Sequence, residues 1–172
     1  MTRSPVRAFV ALGSNLGDRR GHLEAALREI AALPGVSIER VSSFIETAPE
    51  GGPEDQPRFL NGVLSLFTSA TPRELLTALQ AIETLHGRDR SLATKNGPRT
   101  LDLDLLLFGD ERLDEPDLCV PHPRMEERTF VLGPLSEIAP DLVLPASGAS
   151  VRERLRRLTS VTPARHGAPR LR

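Results

Sequence analysis

Asp102 and Asp104 stand two residues apart in the run Gly97-Pro98-Arg99-Thr100-Leu101-Asp102-Leu103-Asp104-Leu105-Leu106-Leu107-Phe108. The alternation predicts a β-strand with Leu101, Leu103, Leu105 and Leu107 on one face and both aspartates on the other. On one strand face the two residues stand roughly 6–7 Å apart at the backbone. That spacing lets both carboxylates reach one magnesium ion, or a magnesium pair, with nucleotide phosphates completing the shell. Arg99, just upstream, can grip phosphate oxygens through two parallel N–H groups. The same alternation also suits a half-exposed strand with a solvated face, but the clustering of further cations favours a phosphate-handling site.

Those cations come from two other stretches. Glu83-Thr84-Leu85-His86-Gly87-Arg88-Asp89-Arg90 puts two arginines just after a helix end. Val120-Pro121-His122-Pro123-Arg124-Met125 sets a histidine between prolines, with Arg128 and Phe130 shortly after. Arg88, Arg90, Arg99, His122 and Arg128 are thus candidate phosphate ligands facing the aspartate pair. The chain has six Phe and no Tyr or Trp, so a planar ligand that needs stacking must use a Phe, a His or an Arg.

Around these residues the elements read clearly. Ala8–Leu12 predicts a first strand, which enters the loop Gly13–Asp18, and Asp18 starts a helix carrying Leu23, Ala26, Leu27, Ile30 and Leu33 at helical spacing. Pro34-Gly35 ends it. Val36–Ile45 predicts a second strand. Thr47–Pro57 is a long loop rich in Pro and Gly, of a length that goes with function. A strand over Phe59–Thr68 follows. Then comes a helix opened by the capping box Thr71-Pro72-Arg73-Glu74, and a polar loop over Arg88–Asn96. With the Asp-Leu-Asp strand the order is β-α-β-β-α-β, an α+β, ferredoxin-like antiparallel sheet with helices on one face. Leu113–Ser160 reads as a C-terminal extension with short helices near 124–138 and 150–158.

Length and composition fit this. The 172 residues are enough for one domain with a real core, and 39% hydrophobic with 26% charged residues is globular usage. Residues 1–160 form the expected domain and 161–172 a basic, unstructured tail: Arg152–Arg172 holds seven Arg and one Glu. The net charge of −1 and the lack of Tyr and Trp argue against nucleic-acid binding. No apolar run approaches a membrane span, Met1–Arg7 lacks the apolar core of a signal peptide, and the single Cys119 fits a reducing cytoplasm. A monomer is the expected state, since no extended apolar stripe is left over.

Four stretches together resemble the 6-hydroxymethyl-7,8-dihydropterin pyrophosphokinases of folate biosynthesis. They are Ala11–Asp18 (ALGSNLGD), Asp55–Asn61 (DQPRFLN), Gly97–Asp104 (GPRTLDLD), and Val120–Met125 (VPHPRM) with Arg128 and Phe130. The likeness runs over residues 8–145. It implies transfer of the β,γ-pyrophosphoryl group of ATP to the hydroxymethyl oxygen of the dihydropterin, with AMP leaving and two Mg2+ ions bound. It implies that Asp102 and Asp104 hold the metal, that Arg88 and Arg99 act on the transferring phosphates, and that Glu83, His122 and Arg128 belong to the nucleotide site. Phe59 and Phe130 match the positions that stack the pterin, Asn61 the residue that reads its edge, and Thr47 a further contact. The chain departs from many members at Asn96 (Trp), Pro123 (Tyr) and Ser91 (Lys), and the loop after Glu50 is one residue longer than in some. The alternative is a non-catalytic ferredoxin-like module that binds a metabolite, which would not need Asp102 and Asp104 beside Arg99.

Overall fold

In a computed structural model the described residues are 3–161. The element order is β1 (Val6–Ser14), α1 (Arg19–Ala31), β2 (Val36–Val41), β3 (Ile45–Thr47), β4 (Phe59–Thr68), α2 (Pro72–Leu85), β5 (Asp102–Phe108), β6 (Leu113–Glu115), β7 (Leu118–Val120), α3 (Thr129–Ile138) and α4 (Val151–Ser160). Beyond residue 161, the expected basic tail lies outside the described residues. Among those described, no helix is long and apolar enough to cross a membrane.

The main sheet runs β2-β4-β1-β5, every pairing antiparallel, with β3 also on β4. Taking β2 and β3 as one interrupted strand, this is the ferredoxin-like order expected of β-α-β-β-α-β. Successive strand residues point to opposite faces, and both faces are used. Ala8, Val10 and Leu12 of β1 join Leu23, Ala26 and Ile30 of α1 and Leu75, Leu79 and Ile82 of α2 in one core. On the other face Phe9, Val63, Leu106 and Leu107 pack with Val131, Leu132 and Leu135 of α3 and Val151 of α4. Helices α1 and α2 share one face, as expected, and the C-terminal extension covers the other.

The helix signals carry over directly. Asp18 accepts from the Gly21 N–H at 3.0 Å and caps α1. Thr71 and Glu74 close a reciprocal capping box on α2, with Pro72 in the first turn. Each satisfies backbone donors that a helix start leaves unpaired.

Three expectations change. The strand expected over 36–45 is broken into β2 and β3. At the break the Ser42 hydroxyl, not a backbone carbonyl, receives the Val63 N–H at 2.9 Å, and Ser43 is drawn aside to Glu137. Leu107 does not share the face of Leu101, Leu103 and Leu105. Val10 pairs with Leu105 and Phe9 with Leu107, so Leu106 is an extra, bulged residue and the alternation flips after it. Finally, the β6–β7 hairpin lies in the extension, where only short helices were expected.

Candidate active site

Three neighbouring strands build the floor. Gly13 of β1 sits between Asn61 of β4 and Asp102 of β5, and Ala11 between Val63 and Asp104. Small residues on the central strand leave room above it, and the larger side chains on each flank rise around that space. A Cβ on Gly13 would lie 2.8 Å from Asn61 Oδ1. The result is a cavity of about 250 Å³. Its walls include Thr47, Phe59 and Asn61 on one side, Asp102, Asp104 and Arg99 on the other, and His122, Arg128 and Phe130 above.

The polar end is densely charged. Arg88 Nη1 lies 2.6 Å from both Glu83 Oε1 and Asp102 Oδ1, and Arg99 Nη1 lies 3.1 Å from Asp102 Oδ2. Glu83 is only 1% exposed. It accepts the Leu103 N–H at 2.8 Å and pairs with Arg90 at 2.7 Å. Burial holds the Glu83 carboxyl above its usual range, while the Leu103 N–H and Arg88 offset part of that effect. Glu83 therefore stands beneath the cavity as the anchor of Arg88 and Arg90, and neither Glu83 nor Arg88 lines the cavity itself.

Asp104 differs from Asp102. Burial, with the charges of Asp102 and Glu83, pushes its carboxyl up to about 7. Crowded carboxylates of this kind are what a divalent cation relieves, and the residues fit one on chemical grounds: two hard oxygen donors on one strand face, open to a cavity. Among the described residues, four buried side-chain nitrogen or oxygen atoms have no hydrogen-bond partner, and three of them are the Nε atoms of Arg88, Arg99 and Arg128. Such concentration at one site matches donors arranged for an anion.

The bulge on β5 places the histidine. Leu106 has no partner on β1, and its carbonyl accepts the His122 N–H at 2.8 Å. His122 Nδ1 receives the Arg124 N–H at 3.2 Å, which puts the ring proton on Nε2. Burial and the neighbouring Arg128 hold its pKa below the usual value, so the ring is neutral near pH 7.

The other end is aromatic and amide-bearing. Asn61 Nδ2 donates to Thr47 Oγ1 at 2.6 Å, which fixes both residues. Arg128 lies with its guanidinium carbon 5.4 Å from the Phe130 ring centre. Phe59 and Phe130 line the same cavity, as a planar ligand would require.

Sequence reasoning singled out neither Glu50 nor Gln56. Glu50 lines the cavity and approaches Arg128 at 3.4 Å and Arg124 at 3.9 Å. Gln56 bonds to three separate segments. No local signal marks Glu50, since its partners lie over 70 positions away. Gln56 stands inside the Asp55–Asn61 block, where the block itself was the signal. Asn96, at the position where many relatives of the resembled family carry Trp, has a positive φ of 55° and lines the cavity edge.

Comparisons with known proteins show which family the chain is similar to. Residues 9–140 match the family described as 7,8-dihydro-6-hydroxymethylpterin-pyrophosphokinase (HPPK). The chain is 53% identical over 139 residues to the 2-amino-4-hydroxy-6-hydroxymethyldihydropteridine pyrophosphokinase of Pseudomonas aeruginosa, covering 81% of this chain and 84% of that one. It is 46% identical over 142 residues to the Bacillus subtilis protein of the same name, covering 83% of each. Its fold is similar to that of Plasmodium falciparum HPPK-DHPS crystallised with pterin and p-hydroxybenzoate, with a TM-score of 0.71 and 14% identity. That likeness covers 92% of this chain and spans 44% of the larger one. On the sequence match and the identities together, the chain belongs to the 7,8-dihydro-6-hydroxymethylpterin-pyrophosphokinase family.

Proposed function

We propose that this cavity is where the chain carries out its family's reaction, pyrophosphate transfer from ATP to the hydroxymethyl group of 6-hydroxymethyl-7,8-dihydropterin in folate biosynthesis. One observation carries the assignment to the cavity: the anion-binding end and the aromatic, amide-bearing end open into the same space. The hydroxymethyl oxygen attacks the β-phosphorus of ATP. The bond from that phosphorus to the oxygen bridging it to the α-phosphorus breaks, AMP leaves with that oxygen, and the hydroxyl proton passes to solvent.

Asp102 and Asp104 are the residues that would hold Mg2+, as the family resemblance implies for two ions. When bound, the metal neutralises triphosphate charge and acidifies the attacking hydroxyl. The protein's own part is positioning and charge compensation, the larger share of catalysis in phosphoryl transfer. Arg99 and Arg128 line the cavity where the triphosphate would lie, with Arg128 Nε 3.4 Å from Glu50, and Arg88 is held stiffly behind Asp102 by Glu83. His122, neutral with its proton on Nε2, donates to a phosphate oxygen. Phe59 and Phe130 sandwich the pterin, and Asn61 with Thr47 reads its amide-like edge.

We further read residues 1–160 as a single pyrophosphokinase domain acting as a cytoplasmic monomer. The lone Cys119 supports the compartment, and the charged residues Glu39 and Arg40 on edge strand β2 support the monomer by discouraging strand pairing.

Phosphorus NMR of the purified protein with ATP and Mg2+, with and without the dihydropterin, tests the reading. AMP and a pterin pyrophosphate that form only when pterin is present are expected. ADP in place of AMP would mean attack at a different phosphorus, and ATP binding without turnover would favour a metabolite-binding module.

A further inference from the structure

The two ends of the cavity are bordered by different loops, and two side chains, Gln56 and Asn15, tie those loops together. The loop over residues 48–58 carries Glu50 and adjoins Thr47 at the pterin end. The segment 96–99 carries Asn96, Gly97 and Arg99 at the phosphate end. Gln56 stands between them. Its Oε1 accepts from Asn15 Nδ2 at 3.1 Å, and its Nε2 donates to Gly51 O at 2.9 Å, Asn96 O at 3.1 Å and Pro53 O at 3.4 Å.

Asn15 completes the connection. It is 1% exposed, and both its amide nitrogen and its amide oxygen are engaged. Nδ2 also donates to Pro57 O at 3.1 Å, and Oδ1 accepts the Arg99 N–H at 2.7 Å. The backbone N–H of Asn15 donates to Arg99 O at 3.0 Å. The stretch Asn96–Arg99 is therefore pinned at both ends, directly through Asn15 at Arg99 and through Gln56 at Asn96. The loops also touch without slack: Gly52 has φ +78°, and a Cβ there would fall 2.1 Å from Asn96 O. A displacement of either loop must break Gln56 bonds or carry the other loop with it.

We propose that Gln56 is a positioning residue that couples the two substrate sites, so that occupancy of the phosphate end by nucleotide sets the loop that closes on the pterin. The inference rests on the assignment of ATP and dihydropterin to this cavity. Gln56 itself does not line the cavity, and reaches it only through the backbone carbonyl of Asn96. Its effect belongs in the interaction between ligands, which is reciprocal by thermodynamic necessity.

The test is a calorimetric binding cycle: dihydropterin titrated into the protein with Mg2+, with and without α,β-methylene-ATP, and the reverse titration. The wild type is expected to bind each ligand more tightly when the other is present. Gln56→Ala is expected to lower that coupling factor at least fivefold while changing each single-ligand affinity less than threefold. Gln56→Glu, nearly isosteric, is expected to do the same, because a carboxylate can still accept from Asn15 but cannot donate to three carbonyls. A coupling factor unchanged in both variants overturns the inference, as does absence of coupling in the wild type. So does a loss of single-ligand affinity with the factor intact. Pterin-dependent AMP release by the wild type separates these outcomes from failure of the functional reading, which would show as no release at all.

Discussion

Arg88 and Arg99 carry the same group but are held differently. Arg88 gives one nitrogen to two carboxylates at 2.6 Å each, whereas Arg99 makes a single 3.1 Å contact with Asp102. Arg99 is the freer to follow charge that develops on the transferring group, and interactions that strengthen only in the transition state are the ones that raise turnover. Arg99→Ala is therefore expected to lower kcat by about 10²–10³-fold, the usual loss for one preorganised donor, with ATP affinity changed only a few-fold. Single-turnover quench against equilibrium nucleotide binding reads this directly, and a loss confined to binding would make Arg99 a ground-state ligand. Phe130 works at the other end, where it faces the cavity and carries Arg128 over its ring. Phe130→Ala should weaken dihydropterin binding by about 1–3 kcal/mol, the range for losing one stacked aromatic partner. Unchanged affinity would place the pterin elsewhere.

Strand β1 serves the site by what it lacks. Ala11 and Gly13 are small where flanking strands present Asp104, Asp102 and Asn61, so the sheet has a depression instead of a packed face. Gly13→Ala would put a methyl 2.8 Å from Asn61 Oδ1. The atom in the way is the far end of a side chain, so the amide can swing aside without disturbing the strand. The expected result is a loss of pterin affinity of about tenfold, some 1.4 kcal/mol, with the melting temperature nearly unchanged. Loss of the fold itself would mean that Asn61 cannot yield. β5 adds a second device. Its bulge at Leu106 frees a carbonyl for the His122 N–H, so one inserted residue both redirects the strand's leucines and hangs a site histidine from its edge.

Across the whole molecule, two helical layers hold a sheet whose site end concentrates like charge. Asp104 titrates near 7 because burial and two neighbouring carboxylates disfavour its charged form. An acid raised in this way binds its proton more readily folded than unfolded, so the cation-free protein loses stability as pH rises from about 4 to about 7. Asp104→Asn is expected to raise the cation-free melting temperature at neutral pH, at about 2–4 °C per kcal/mol for a chain of this size, and the difference should close near pH 4. Magnesium should stabilise the wild type at neutral pH and leave the variant unmoved. Equal stabilisation of both by magnesium would sink the metal assignment at Asp104.

What the sequence determined by itself was local. Alternation marked the start of β5 at Asp102–Leu105, a capping residue and a proline marked the start of α2, and residue types marked the chemistry of Asp102, Asp104 and Arg99. These signals act within a few residues, through backbone sterics and the pairing of adjacent groups. The tertiary structure decided the rest. It set the face taken by Leu107, which depends on the register with β1, and the break between β2 and β3, which depends on Val63 and Glu137. It buried Glu83 against a backbone amide 20 residues away, and it joined Asn15 to Arg99 across 84 positions. Register, desolvation and long-range hydrogen bonds exist only once distant segments meet, so no local pattern could specify them.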